Sequence, residues 1–297
     1  MKNIYLNIYK PNSSNLRKAK KKLENNNVIG LPTETVYGLA GNAYSNKSVK
    51  KIFKLKKRPI FNPLIIHYRN LLNLKKDAIC NDNFMKLYKK LCPGPVTFIL
   101  KKKKESKISK IANVGKKTIA VRFPKHRVAR NLLKMLNIPL AAPSANISSK
   151  LSPTSAYDVV DEFKNKVNFI LDGGQCRIGL ESTIIDLTGK PNILRLGIVT
   201  QKKISNILKK KITLKKETKD FKGPGQLKLH YFPGIPVKMN KKNAVKNQAL
   251  IGFGKKFKTG KNRFNLSKNG NLEEVANKLY KIMRKIKKNN FKSIAII

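Results

Sequence analysis

Residues 30–67 read GLPTETVYGLAGNAYSNKSVKKIFKLKKRPIFNPLIIH, and the rest of the chain is organised around this segment. The apolar run at 28–31 ends at a proline, which predicts a buried strand that enters a loop. Apolar residues at helical spacing then predict a helix with one buried face over 45–57. Two further prolines stop this helix and hold an extended segment that leads to His67. The segment therefore predicts a strand, a helix and a second strand within one α/β unit.

Polar residues follow several predicted strands directly. Two threonines flank a carboxylate at 33–35, just after the first strand. Arg122 ends the predicted strand at 119–121, and Pro-Ser-Ala-Asn follows the strand at 140–142. Open α/β sheets bind their ligands just beyond strand ends. We therefore expect these loops to form a ligand site.

The charge of the chain is strongly positive, at +51, and clustered cations give nucleic-acid binding its salt-dependent strength. However, 56 of the 66 basic residues are lysine, spread over the whole chain, and only ten are arginine. This distribution favours a compositional bias over one selected binding face. Where lysine has replaced arginine at most positions, the few arginines that are kept are enriched at positions that need a planar, bidentate donor. Arg58, Arg122 and Arg195 lie inside sequence motifs, which makes them candidate ligand-binding residues.

The sequence argues against several classes of site. Its three cysteines lie far apart and only three histidines could join them, so a zinc site or a disulfide framework is not expected. The glycines after Gly252 have the wrong spacing for a dinucleotide or P-loop motif. No catalytic triad order or metal-ligand cluster is recognisable, so no protein-bound metal is predicted. No apolar run is long enough to cross a bilayer, and the start lacks an apolar signal block, which predicts a cytoplasmic protein without membrane contact.

A series of ordered motifs resembles the threonylcarbamoyl-AMP synthase family, the YrdC-like proteins. The motifs of this family that stand in the chain are PTETVYGL (32–39), KKRPIFNPLIIH (56–67), PGP with a nearby threonine (93–97), TIAVR (118–122), AAPSAN (141–146), SPT (152–154), DGG (172–174) and ESTI (181–184). They cover about the first 200 residues. A further motif, GPGQLKLHYFP (223–233), resembles the linker of the two-domain branch of the family.

The resemblance implies a fold class and a domain division. We expect an α/β protein with a YrdC-like open, twisted, mixed sheet and flanking helices over residues 1–200. A linker follows over 201–236. The β, α, β order after it predicts a small Rossmann-like α/β unit over 237–297. This unit is shorter than the family's second domain, so we expect it to be truncated, with its last strand left uncovered.

The resemblance also implies an activity, that of an L-threonylcarbamoyladenylate synthase. Such an enzyme is a nucleotidyltransferase that condenses L-threonine, bicarbonate and ATP into L-threonylcarbamoyl-AMP and pyrophosphate. Mg²⁺ is expected to arrive with ATP. The product supplies threonylcarbamoyladenosine modification of tRNA, so downstream threonylcarbamoyl transferase proteins are expected partners, together with weak tRNA binding. Two alternatives stay open: a basic tRNA or double-stranded RNA binding module without catalysis, and a carbamoyl-transfer relative of the same fold, for which the chain lacks the length and the cysteines.

Site residues follow from the motif positions in the same way. The residues expected to hold threonine are Thr35, His67, Arg122, Ala142 and Ser182. The residues expected to contact ATP are Lys56, Arg58, Asn62, Thr118, Ser144, Asn146, Ser152, Arg195 and Tyr231. Lys56 and Arg58 are also the expected catalytic residues, because charge neutralisation at phosphate needs cations.

Overall fold

The computed structural model describes residues 5–214 and 231–297, and its largest element is an 11-stranded mixed sheet. The strands of this sheet are β1 (Ile8–Tyr9), β2 (Ile29–Leu31), β3 (Gly38–Asn42), β4 (Ile65–His67), β5 (Val96–Lys101), β6 (Thr118–Arg122), β7 (Leu140–Ala141), β8 (Ile170–Leu171), β9 (Thr183–Asp186), β10 (Asn192–Arg195) and β11 (Thr213–Leu214). Their order across the sheet is β1-β8-β2-β3-β7-β4-β6-β5-β9-β10-β11. Parallel and antiparallel pairs both occur, which confirms the predicted mixed α/β class.

Helices cover both faces of the large sheet. They are α1 (Ser13–Glu24), α2 (Asn46–Lys56), α3 (Leu71–Leu74), α4 (Asp82–Leu91), α5 (Arg127–Met135), α6 (Ala156–Phe163) and α7 (Gln201–Leu208). The predicted helix at 45–57 is confirmed as α2, which begins after the Ser45 side chain caps the backbone N–H of Ser48 and ends where Lys57 takes a left-handed φ of 47°. α2, α4, α6 and α7 pack on one face, and α1 and α5 pack on the other.

The face that carries α1 and α5 is only partly covered by them. Over β2, β3 and β7, their apolar side chains form one packed cluster with the sheet. Over β4, β6, β5 and β9, the sheet instead shows a small separate cluster that includes Ile65, Ala120 and Ile184. Because side chains alternate between the faces of a strand, His67 and Arg122 lie on this same face. The polar ends of these strands therefore share a part of the sheet that no helix within residues 5–214 and 231–297 covers.

A second, four-stranded sheet follows in the chain. Its strands β12 (Val237–Lys238), β13 (Gln248–Gly252), β14 (Arg263–Asn265) and β15 (Ser293–Ile296) are all parallel, in the order β12-β15-β13-β14. α8 (Leu272–Lys288) covers one face. The expectation that the last strand is uncovered is wrong, because β15 lies inside the sheet and Ile294 and Ala295 are fully buried. The parallel β, α, β arrangement agrees with the predicted Rossmann-like unit.

The predicted linker overlaps elements of the first sheet. Residues 201–208 form α7, which buries Ile204 and Leu208 in the main core, and β11 pairs with β10. The expected linker motif lies largely outside the described residues, from 223 to 230, and the domain division stays a prediction. Among the residues that are described, no helix is both long and apolar enough to cross a membrane.

Candidate functional site

A cavity with about 500 Å³ of empty space, including the solvent at its mouth, lies over the part of the large sheet that none of the described helices covers. Its lining comes from loops and strand ends that are far apart in sequence, namely Thr33, Thr35, Val36, Tyr37, Gly38, Arg58, Ile65, His67, Arg122, Ala142, Pro143, Ser144, Glu181, Ser182 and Arg195. The predicted association of these polar loops is therefore present in the structure. The cavity lies along the sheet face rather than at one edge, because β7 runs antiparallel to β4 and so carries Ser144 toward the edge opposite His67.

Arg122 and His67 close one end of the cavity, at adjacent positions on β6 and β4. Arg122 Nη2 donates to Glu34 Oε1 at 2.8 Å, and the Lys125 backbone N–H donates to Glu34 Oε2 at 3.0 Å. Burial raises the pKa of Glu34, but the Arg122 charge and these hydrogen bonds lower it more, so the net pKa lies below its usual value. The Glu34 carboxylate is therefore ionised and occupies one side of the guanidinium.

The opposite side of this end offers unused polar groups. Arg122 Nε and both ring nitrogens of His67 are buried, and none has a hydrogen-bond partner within the described ranges. Burial lowers the pKa of His67 well below its usual value, and the Arg122 charge adds to this, so the ring is neutral. Buried polar atoms are nearly always paired in folded proteins. These three atoms therefore mark a place for a polar ligand.

Hydroxyl groups line the walls beside Arg122. Thr33 and Thr35 share a hydrogen bond of 2.9 Å between their Oγ1 atoms, and Thr33 Oγ1 also donates to the Val36 carbonyl at 2.6 Å. On the other wall, Ser182 Oγ lies 2.7 Å from Thr97 Oγ1. Both pairs can reorient their protons toward a ligand without moving heavy atoms, because a hydroxyl is both a donor and an acceptor.

Two arginines with no carboxylate partner among the described residues, Arg58 and Arg195, line the cavity. Arg58 donates to three neutral oxygens, the Asn62 carbonyl and side-chain oxygen and the Pro63 carbonyl, at 2.6–2.9 Å. Burial and the nearby charge of Arg195 lower the pKa of Arg58 to about 9. Arg195 donates to the Ser182 carbonyl at 2.9 Å and to Ser182 Oγ at 3.2 Å. Two cations close enough for the charge of one to lower the pKa of the other could together bind a multiply charged anion.

Lys56 lies behind the cavity wall rather than in it. Its ammonium group is buried and donates to the carbonyls of Ser144 and Asn146. Burial, and after it the charge of Arg58, lowers the pKa of Lys56 well below its usual value. The Lys56 side chain thus holds the 144–146 loop through these two hydrogen bonds. The expected contact of Lys56 with a nucleotide stays a prediction.

Of the residues predicted for ATP, Arg58, Ser144 and Arg195 line the cavity. Ala142, which was predicted for threonine, also lines it, two residues before Ser144. Asn62 is buried behind Arg58, and Asn146 donates to the carbonyls of Ile147 and Lys150, so neither lines the cavity. Thr118 also lies outside the lining, but it begins the strand that Arg122 ends, so both lie on the same face.

The second sheet contributes to the wall around Glu181. This buried carboxylate accepts from Ser152 Oγ on one oxygen and from Tyr280 on α8 at 3.0 Å on the other. Tyr231 stacks on Tyr280 with ring centroids 5.7 Å apart, and its hydroxyl hydrogen-bonds with Glu181 and Arg195. Tyr231 and Ser152 are therefore placed beside the cavity without lining it.

The residues of this site that were not among the predicted site residues include Glu34, Glu181 and Tyr280. The first two lie inside the motifs PTETVYGL and ESTI, so their position was visible but their pairing was not. Tyr280 lies on an amphipathic helix, where an aromatic residue at helical spacing predicts only core packing. Within residues 5–214 and 231–297, no cluster of three or more His, Cys, Asp or Glu could hold a metal.

Comparison with known proteins places this arrangement among defined relatives. The family model Sua5_yciO_yrdC, with the description Telomere recombination, matches residues 21–197. The model Sua5_C, with the description Threonylcarbamoyl-AMP synthase, C-terminal domain, matches residues 199–297.

Two curated relatives share the name Threonylcarbamoyl-AMP synthase. The one from Pyrococcus abyssi is 41% identical over 217 residues, which cover 71% of this chain and 63% of the relative. The one from Bacillus subtilis is 35% identical over 246 residues, which cover 81% of this chain and 70% of the relative. The crystal structure of P. abyssi Sua5 complexed with L-threonine aligns with a TM-score of 0.86 at 31% identity, over 97% of this chain and 91% of that one.

Proposed function

Because the chain belongs to the Sua5, YciO and YrdC family, we propose that it is a threonylcarbamoyl-AMP synthase. The reaction would condense L-threonine, bicarbonate and ATP into L-threonylcarbamoyl-AMP and pyrophosphate. The names of the relatives and the threonine complex of the Pyrococcus protein support this assignment. The chain spans 63% of the Pyrococcus relative's length in that alignment, so the activity rests on the site as well as on the family.

The observation that carries the proposal is the charge pattern along the sheet face. At one end, Arg122 is half neutralised by Glu34 and keeps a free Nε beside neutral His67, which suits one carboxylate. Elsewhere in the cavity lining, Arg58 and Arg195 have no carboxylate partner within the described ranges, which suits phosphates. Thr118 lies four residues from Arg122, or about 13 Å along an extended strand. An amino acid joined through phosphate to a nucleoside fits such a divided site.

The mechanism needs no protein nucleophile. Once the threonine amine has captured carbon dioxide, the carbamate is itself an anionic nucleophile. Its oxygen attacks the α-phosphorus in line, a new P–O bond forms, and the bond to the pyrophosphate leaving group breaks. The contribution of the protein is to position both substrates and to neutralise charge. The cavity contains hydroxyls, arginines and a neutral histidine, which agree with this division of work.

Within this proposal, each predicted residue has a role. Thr35, His67, Arg122, Ala142 and Ser182 hold threonine. Arg58 and Arg195 bind phosphate, and the residues that contact or support the nucleotide are Lys56, Asn62, Thr118, Ser144, Asn146, Ser152 and Tyr231. Mg²⁺ would enter with ATP and supply charge to the phosphates. Transfer proteins downstream, weak tRNA binding and a cytoplasmic location belong to the same proposal, whereas no observation favours an RNA-binding module without catalysis.

A product assay tests the function directly. The purified chain is incubated with L-threonine, bicarbonate, ATP and Mg²⁺, and products are identified by mass spectrometry while pyrophosphate release is followed. We expect threonylcarbamoyl-AMP only when all components are present. Equal pyrophosphate release without threonine, or none under any condition, would contradict the proposal.

A further inference from the structure

We infer that Tyr280, on α8 of the second sheet, is a positioning residue for the nucleotide half of the cavity. It acts by fixing the carboxylate of Glu181 and the ring of Tyr231. The inference rests on the proposed function for its reaction, but its geometry does not. Tyr280 would thereby give α8 and the second sheet a role in ligand binding, at a site whose lining residues come from the first part of the chain.

Glu181 is the link between the two parts of the protein. It lies in the cavity lining, yet both of its oxygens are held from behind, one by Ser152 and one by the Tyr280 hydroxyl at 3.0 Å. Burial and the charge of Glu181 raise the pKa of Tyr280 well above its usual value, so the hydroxyl keeps its proton and donates. A carboxylate held on both oxygens has one orientation.

This orientation matters because Glu181 stands among the cations of the cavity. Arg58 and Arg195 repel each other, and Glu181 is one of the two carboxylates whose charge favours the ammonium form of Lys56. The position of Glu181 therefore sets how strongly the positive groups attract a polyphosphate and where its charge is balanced. A carboxylate free to rotate could pair directly with an arginine and compete with phosphate for it.

Tyr280 also seats Tyr231. The two rings stack 5.7 Å apart at an interplanar angle of 25°, and the Tyr231 hydroxyl reaches Arg195 as well as Glu181. One side chain of α8 thus supports an acid and an aromatic residue that both contact the phosphate-binding region. Removing its hydroxyl affects only the first support, whereas the stacked ring remains.

The position of Tyr280 is itself well determined. α8 docks on loops and on helix α6 beside the first sheet through a row of polar contacts along one face, at Asn277, Arg284 and Lys288. Asn277 donates to the carbonyls of Cys176 and Arg177 at 2.7 and 2.9 Å. These residues lie three or four positions from Tyr280 or a further turn away, so they share its side of the helix. The helix cannot slide without breaking several contacts at once.

The test is the pair Tyr280→Phe and Tyr44→Phe. Like Tyr280, Tyr44 donates a hydrogen bond from its hydroxyl to a carboxylate, that of Asp77, at 2.8 Å. Tyr44 and Asp77 both lie outside the cavity lining. Loss of a hydrogen bond to a charged group costs enough to change an affinity by roughly tenfold or more. We expect Tyr280→Phe to raise the KM and Kd for ATP by about five- to twentyfold, with the threonine KM within about twofold of wild type. Tyr44→Phe should lower Tm and leave both KM values unchanged.

Glu181→Gln and the double variant Tyr280→Phe/Glu181→Gln show whether Tyr280 changes ATP binding through Glu181. If Tyr280 acts through Glu181, the double variant binds ATP no more weakly than Glu181→Gln alone, because the two changes remove one interaction. A KM and Kd for ATP within twofold of wild type in Tyr280→Phe would overturn the inference, even if Tm falls. Independent, multiplying effects of the two substitutions would also overturn it.

The outcome can be told apart from failure of the proposed function. ATP affinity is measured by calorimetry on the full chain, without threonine or bicarbonate. If the wild type makes no threonylcarbamoyl-AMP, the function is wrong, while weaker ATP binding in Tyr280→Phe would still support the positioning role. If the wild type makes the product and the Kd for ATP is the same in the wild type and in Tyr280→Phe, the positioning role is wrong while the proposed function stands.

Discussion

Replacing Arg122 with lysine is the most direct test of the threonine end of the cavity. The wild-type guanidinium uses Nη2 for the buried Glu34 carboxylate and has a buried Nε free on another side. Lysine carries a single nitrogen on a flexible stem and cannot contact two groups in this fixed geometry. If its ammonium stays with Glu34, the ligand loses its partner; if it turns to the ligand, Glu34 is left buried and unpaired.

The expected magnitude follows from one lost hydrogen bond between charged groups. Such a bond contributes about 1.5–3 kcal/mol, and each 1.4 kcal/mol is about tenfold in an equilibrium. We therefore expect kcat/KM for threonine to fall by roughly 10- to 150-fold in Arg122→Lys, and KM for ATP to change by less than about threefold. Release of pyrophosphate at varied threonine and fixed, saturating ATP measures this change.

Arg263→Lys is the matched control. Arg263 is a partly buried arginine on β14 that lies over the Phe257 ring at 4.6 Å and donates to the Lys258 carbonyl, in the second sheet. We expect its kinetics to stay within twofold of wild type. Thermal unfolding of each variant shows whether it is folded at the assay temperature. Equal threonine kinetics in the two variants would show that Arg122 does not bind the substrate carboxylate.

Two further predictions follow. Thr118→Ala should raise KM for ATP by about two- to tenfold through loss of a neutral hydrogen bond, with the threonine KM unchanged, and an unchanged KM for ATP in steady-state assays would remove Thr118 from the nucleotide site. Unfolded His67 gains a proton near pH 6.5, while burial lowers its folded pKa well below that value. The wild type therefore loses up to about 2 kcal/mol of folding stability between about pH 7 and pH 5. His67→Gln should make this loss smaller. Thermal unfolding at several pH values checks this, and an equal pH dependence in both proteins would mean that folded His67 is protonated normally.

The electrostatics of Glu34 act in a separate pH window. Its folded pKa is lowered, so it contributes stability above its unfolded pKa and loses that contribution as pH falls further. The usual value is about 4.3, below the range in which His67 changes stability. Acid unfolding below that point and the loss between pH 7 and pH 5 therefore report different residues.

Much of this protein could be predicted from residue order. Helical spacing in 45–57 and the prolines after it gave α2 and the segment leading to His67, because local sterics and one buried face fix such elements. The family motifs named the loops that line the cavity. Local patterns did not show β7 as antiparallel to β4, since strand direction depends on pairing across the sheet.

The tertiary structure showed which side chains pair with each other in the site. That Glu34 faces Arg122, 88 residues away, and that Tyr280 faces Glu181, 99 residues away, is set by packing between distant segments. No periodicity carries such information, because a side chain on a helix or strand shows only which face it occupies. The same holds for Lys56, whose charge suggested a phosphate contact but whose burial ties it to two carbonyls.

The sequence by itself thus determined most of the chemical groups that the site contains and the elements on which they lie, but not the carboxylates and the tyrosine that pair with them. Only the tertiary structure showed which groups are already paired. Arg122 is paired on one side with Glu34, whereas, among the described residues, the ring nitrogens of His67 have no hydrogen-bond partner and Arg58 and Arg195 have no acid partner. The physical reason is that charge and hydrogen-bond strength depend on distance and burial. Both quantities arise only when segments far apart in the chain come together.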